Sequence, residues 1–278
     1  METTSVKKGK KIFISYGNEI YYDSLQRIKK MAEDTGIFDQ IIIYTDKDLP
    51  DEIKSHTLMQ YARGGGYWFW KPFVILQTLK EVATENDIVI YSDSGNEIFK
   101  HKDWLHYFQM LNKYDGVCFK YGKLAKEYTK KELLDYFSDE CRNLSERYQI
   151  MGGLNLWTKQ SIPIVQEWFD TMKEHPELVL EDTSEPSKKQ NKHLKEHRHD
   201  QAVLTGIVYK NENKIAVLWE KCESFDQWGQ AVFCARIANT PDRIKGRPHK
   251  PRRLTWRINR LKKILFRNIR EFIYKHIL

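Results

Sequence analysis

Asp93 follows a short apolar run, Ile88-Val89-Ile90-Tyr91, that reads as a buried strand ending in the turn-forming residues Ser92-Asp93-Ser94-Gly95-Asn96. A carboxylate is thereby set at the carboxyl end of a strand, which is where open α/β sheets bind ligands. A plain β-turn uses the same residue types, so Asp93 alone does not separate the two readings. The preceding box, Gly64-Gly65-Gly66-Tyr67-Trp68-Phe69-Trp70-Lys71-Pro72, adds more than a turn needs. Consecutive glycines admit positive φ or a close backbone approach to a ligand, the aromatics offer flat apolar surface, and Lys71 is a cation suited to a phosphate oxygen. The plainer reading makes the aromatics core and lets Lys71-Pro72 open a helix; both can hold. Further along, Gly152-Gly153 interrupt an apolar strand, and His199-Asp200-Gln201 bring a second carboxylate and an amide just ahead of a helical pattern that Asp200 could cap.

The elements needed to position these groups are legible in outline. Lys11–Tyr16 reads as a first strand, Tyr21–Glu33 as a helix and Gln40–Tyr44 as a second strand, a βαβ opening. Pro72–Val82, Trp104–Asn112, Lys130–Leu144 and Ser161–His175 read as helices, and Gly116–Phe119 and Gln149–Trp157 as strands. Alternating strands and helices predict a mainly parallel α/β sheet with helices on both faces. Glu181–Lys195 is polar, with Pro186 and several lysines, and reads as an exposed loop that could serve as a lid.

With 278 residues, 41% of them hydrophobic, the chain can bury a substantial core. No apolar run approaches the ~20 residues a membrane span needs, and the basic N-terminus lacks an apolar segment behind it, so a cytoplasmic location is expected. Cys118, Cys141, Cys222 and Cys234 show no paired spacing and suit reduced thiols. No dinucleotide fingerprint, P-loop or HExxH motif is present. His193, His197 and His199 crowd one segment, where solvated loop residues are the simpler reading than metal ligands.

Together the boxes resemble the GT-A class of nucleotide-sugar glycosyltransferases, above all bacterial enzymes of capsular polysaccharide and lipopolysaccharide synthesis. The resemblance spans roughly residues 11–240 and rests on Gly66-Tyr67-Trp68-Phe69-Trp70-Lys71-Pro72, Tyr91-Ser92-Asp93-Ser94-Gly95, Met151-Gly152-Gly153-Leu154-Asn155 and His199-Asp200-Gln201. It implies a GT-A-like catalytic domain over residues 1–242, a nucleotide-sugar donor, and a glycan or lipid-linked acceptor. It implies donor contacts from Tyr16, Gly17, Arg63, Tyr67, Trp70, Lys71, Asp93, Ser94, Gly153 and Asn155, with Asp200 and Gln201 as catalytic candidates. The fold's usual Asp-x-Asp metal motif is Asp93-Ser94-Gly95 here, one carboxylate short. Mn²⁺ or Mg²⁺ would need Asp93 with His249, or Glu97, alongside the substrate phosphates, and metal-free catalysis stays open. Inversion would make Asp200 the first candidate for general base; retention would remove that role.

Residues 243–278 hold 13 Lys or Arg and one acid, so the remaining chain carries a net −4 beneath an overall +8. Leu254, Ile258, Leu261, Leu265, Ile269 and Phe272 recur at helical spacing among those cations. Such a basic amphipathic tail fits an anionic membrane surface, which would bring the protein to the inner face of the cell membrane, or a helix packed on the body. Of the competing classes, a nucleic-acid-binding protein acting through the tail meets an acidic body with no binding motif, so nucleic acid is not expected. A nucleotidyltransferase lacks its glycine-rich basic loop, since Ser15-Tyr16-Gly17-Asn18 is too sparse.

Overall fold

In the computed structural model, residues 9–181, 190–223, 229–237 and 254–276 are described. The strands are β1 (Lys11–Tyr16), β2 (Gln40–Tyr44), β3 (Ile88–Ser92), β4 (Glu97–Ile98), β5 (Gly116–Leu124), β6 (Tyr148–Thr158), β7 (Ile215–Trp219) and β8 (Val232–Phe233). Six of them form one sheet in the order β2-β1-β3-β6-β5-β7, and β4 pairs separately with β8. β1 is parallel to β2 and β3, and β5 is parallel to β7, whereas β6 runs antiparallel to both of its neighbours, β3 and β5. The sheet is thus mainly parallel, as the βαβ pattern predicts, with one reversed strand at its centre.

The longer helices are α1 (Tyr22–Thr35), α2 (Trp70–Gln77), α3 (Asp103–Met110), α4 (Ile162–Glu174), α5 (His199–Lys210) and α6 (Leu254–His276). Alternation along the strands decides which core each residue enters. Ile12, Ile14, Val89 and Tyr91 face a core shared with Val74 and Ile75 of α2, Val165 and Trp168 of α4 and Leu204 of α5. Phe13, Ile88 and Ile90 face the opposite core, with Ile28 of α1 and Trp104 and Phe108 of α3.

Two predicted elements differ from the structure. The helix expected over Lys130–Leu144 is realised only as Lys131–Tyr136. Phe137, Cys141 and Leu144 turn inward to the core, and Asn143 adopts a left-handed φ of 56°, so burial of these three side chains overrides helix propensity. Asp200 is not a helix cap: α5 already begins at His199, and Asp200 lies in its first turn.

Candidate functional site

The carboxyl end of β3, the middle of β6 and the first turn of α5 converge on Lys71. Its ammonium lies 3.3 Å from Asp93 Oδ1 and 3.1 Å from Asp200 Oδ2. Tyr91 donates a hydrogen bond of 2.7 Å to the same Asp93 Oδ1. Lys71 is 3% exposed and the Asp200 side chain 5%, while the Asp93 side chain is 40% exposed, so Asp93 is the carboxylate open to solvent. Asp200 Oδ2 touches the ammonium without hydrogen-bond alignment and keeps an unused acceptor.

The electrostatics follow from burial and proximity. Burial pushes the Asp200 carboxyl up to about 6, with Lys71 opposing and Asp93 reinforcing the rise. Burial alone would lower Lys71, but the two carboxylates outweigh it and its pKa ends above the ordinary lysine value. Burial, then Asp93, holds the Tyr91 phenol well above its usual range, so it stays a donor.

The paired glycines have a physical reason. A Cβ on Gly153 would stand 2.6 Å from Asp93 Oδ2, and one on Gly152 would stand 3.1 Å from Asp200 Oδ2 and 3.4 Å from Lys71 Nζ. β6 runs through both residues, but its register against β5 shifts across them, from Asn155 opposite Cys118 to Ile150 opposite Lys120, so the glycines lie in a bulge. The interruption read at Gly152-Gly153 is this bulge, and the carboxylates of Asp93 and Asp200 pack into the space the missing side chains leave. Asn96 Nδ2 and the Asp93 amide both donate to the Gly153 carbonyl, at 2.9 and 3.0 Å, which ties the β3 turn to β6.

The glycine box has an equally specific shape. Gly64, Gly65, Gly66, Tyr67 and Trp68 all have positive φ, between 51° and 99°, forming one left-handed turn before α2. A left-handed helical conformation costs roughly 1–2 kcal/mol for each residue bearing a Cβ, so three glycines remove most of that cost and only Tyr67 and Trp68 incur it. The turn delivers Lys71 inward and places Trp70 in a stack with Tyr16, ring centroids 3.8 Å apart. The Trp70 indole also donates to the Gly64 carbonyl at 3.0 Å.

Other sequence-derived candidates separate into groups. Gln201 joins the site, accepting from the Gly152 amide at 3.5 Å and donating to the Tyr121 hydroxyl at 2.7 Å. Gly17 is buried, and its amide donates to the Tyr44 carbonyl. Ser94 is buried, its carbonyl accepting from Arg27. Asn155 is fully buried, taking the Trp157 indole at 2.6 Å and donating to the Gly152 carbonyl, so it braces β6 from beneath. Arg63 pairs with Glu181 and Glu196. Tyr67 packs against His199, centroids 4.5 Å apart.

His193 is exposed as expected, but His197 and His199 are buried. Each gives a ring nitrogen to a backbone carbonyl, Leu178 and Val179 respectively, and burial lowers His199 to about 4. Tyr91, Trp168, Gln149 and Tyr121 were not singled out from sequence. Tyr91 carried a signal, as the polar-tipped end of the strand leading into Asp93. Trp168, whose indole donates to the Asp200 carbonyl at 3.2 Å, looks like any other core tryptophan in sequence.

A divalent cation finds an incomplete donor set here. Asp93 Oδ1 is engaged by Tyr91 and Lys71, leaving Oδ2 as one open carboxylate oxygen. Among the described residues no group of three His, Cys, Asp or Glu side chains converges. His249 lies outside the described residues.

A glycosyltransferase involved in glycosylation of the major capsid of PBCV-1 is similar over 77% of this chain and 84% of its own, at 13% identity and a TM-score of 0.45. The galactosyltransferase LgtC, in complex with donor and acceptor sugar analogs, is similar over 74% and 72%, at 12% identity and a TM-score of 0.42. At such identities and scores the chemistry rests on the chain's own side chains. No family model matches. A stretch of 85 residues is 34% identical to a putative cysteine ligase BshC of Staphylococcus epidermidis, covering 30% of this chain and only 13% of that protein.

Proposed function

We propose that the chain is a glycosyltransferase that moves a hexosyl group from a nucleoside diphosphate sugar, a UDP-sugar first, to a hydroxyl of a surface-glycan or lipid-linked acceptor. The Asp93–Lys71–Asp200 cluster, built against two glycines at the carboxyl edge of the sheet, is the observation that carries this reading.

Glycosyl transfer breaks the bond from the anomeric carbon to a diphosphate oxygen, forms one to the acceptor oxygen, and releases the acceptor's proton to a base. Asp93, oriented through Oδ1 by Tyr91 and Lys71, presents Oδ2 to the donor. Asp200, with a pKa near 6 and a spare acceptor, is suited to take a sugar hydroxyl or, in an inverting reaction, the proton. Gln201 fixes the Gly152 edge of the same space. Lys71, buried and shared by two carboxylates, holds these acids in place. Mn²⁺ or Mg²⁺ would add electrostatic stabilisation of the leaving diphosphate, with Asp93 as anchor and His249 as a further donor. The tail would meet an anionic membrane at the inner face of the cell, where a lipid-linked acceptor resides.

Purified protein is screened by thermal shift against UDP-, GDP-, CMP- and ADP-sugars, each with and without Mn²⁺. Stabilisation by one donor class, together with loss of transfer in Asp93→Ala at unchanged fold, supports the proposal. No response to any donor, or normal turnover in Asp93→Ala, overturns it.

A further inference from the structure

α6 sits on the protein with its faces reversed relative to an ordinary surface helix, which buries its apolar stripe and exposes its charges. Its charged side is the one that docks. Glu271 is buried in ion pairs with Lys120 and Arg147, and Arg270 pairs with Glu146 and donates to its carbonyl at 2.7 Å. Asn268 accepts from the Trp219 indole at 2.6 Å, and the Arg267 guanidinium lies 5.4 Å from that ring. On the opposite side Leu261, Leu265, Phe266, Ile269 and Phe272 are 52–71% exposed. A contiguous apolar stripe of this kind marks an interaction surface.

We infer that this polar latch holds α6 as a preformed docking face for an anionic lipid surface, linked through β5 to the candidate site. The choice of occupant rests on charge. Glu271 is the one acid in residues 243–278 and it is sequestered in the latch, while Lys262 and Lys263 are exposed beside the stripe. Lys262 stands one turn from both Ile258 and Phe266, inside the apolar face. A second protein copy packed there would bury its ammonium, whereas at a membrane interface the long side chain reaches the headgroups. Anionic lipid also gains from each nearby cation.

β5 links the latch to the site. Lys120 holds Glu271 of the latch, and the next residue, Tyr121, holds Gln201 of the site. This link rests on the proposed function only in naming the site.

The test is co-sedimentation of the full chain with vesicles of equal parts phosphatidylglycerol and phosphatidylcholine, beside phosphatidylcholine alone, with sedimentation velocity in parallel. Wild type should pellet with the anionic vesicles, and the double variant Leu265→Glu, Phe266→Glu should lower the bound fraction tenfold or more. Both positions are exposed, so the variant should melt with wild type and keep its sugar-nucleotide thermal shift. A lost vesicle interaction is thus told apart from a failed transferase reading. Equal vesicle binding by the variant, or no binding by wild type, overturns the inference. So does a wild-type dimer that the same substitutions dissociate, since a second copy would then cover the face.

Discussion

Gly153→Ala separates the proposed chemistry from the fold. The added methyl would lie 2.6 Å from Asp93 Oδ2, against an ordinary contact limit of 3.4 Å, so the carboxylate must retreat by about 0.8 Å. Gly153 does not have a left-handed φ, so the backbone accepts alanine without strain. The clash falls on the free oxygen of a side chain that is 40% exposed, and the stability loss should stay near ~1 kcal/mol, the low end for overpacking. Activity should fall much further, because Oδ1 is pinned by Tyr91 and Lys71 and the carboxylate cannot move without breaking one of those contacts. A displacement approaching 1 Å in a positioning group costs on the order of 10²-fold in rate. The assay is initial-rate transfer from the donor identified by thermal shift, with Gly36→Ala, strained by its φ of 62° but far from the site, as a control that loses stability without losing rate. Wild-type kcat in Gly153→Ala, at wild-type stability, would refute the assignment of Asp93 as the donor-facing group.

Three further outcomes follow from the same geometry. Lys71→Met should destabilise the protein by about 3–5 kcal/mol in urea unfolding, because it strands Asp200, and adding Asp200→Leu should restore much of the loss; additive effects of the pair would contradict the ion-pair account. Asp200 titrates near 6 in the fold against 3.8 for the free carboxyl, so the folded state binds more protons between those values. Wild-type stability relative to Asp200→Asn should therefore decline by about 3 kcal/mol as pH rises through that window and level off above it, and a flat difference would remove the raised pKa. In the left-handed turn, Gly65→Ala should cost only the ~1–2 kcal/mol of its φ of 57°, having 3.4 Å to its nearest neighbour, whereas Gly66→Ala adds a clash at 2.4 Å with Met59 and should cost roughly twice as much by thermal denaturation.

How far the sequence could be read depended on the range of the interactions involved. β1, α1, β2 and β3 announce themselves through local periodicity, and Asp93 through its place after an apolar run. Gly152-Gly153 signal an interrupted strand, realised as a bulge against β5, but nothing local says that the groups packed over them come from residues 93 and 200. The helix at Lys130–Leu144 failed for the same reason, since Phe137 is claimed by Gly206, whose Cβ would meet that ring at 2.3 Å. His197 and His199 look solvated among lysines and glutamates, yet two backbone carbonyls far behind them in sequence make them interior. The docking side of α6 was also hidden, because helical spacing shows that a stripe exists but not which face meets the protein.

The reversed strand has a consequence for how the molecule comes together. β6 lies between β3 and β5 and is the element that joins β2-β1-β3 to β5-β7. Until residues 148–158 enter, β3 and β5 each present an unpaired edge across the future centre of the sheet, the condition under which strands recruit foreign partners. Closing that gap and assembling the site are one event, because Gly152 and Gly153 ride on the inserted strand. A nascent chain halted before β6 should be prone to aggregation and unable to bind donor, and amides of β6 should be among the slowest to exchange in the finished protein. The candidate site would then be among the last parts of the molecule to form and the last to open.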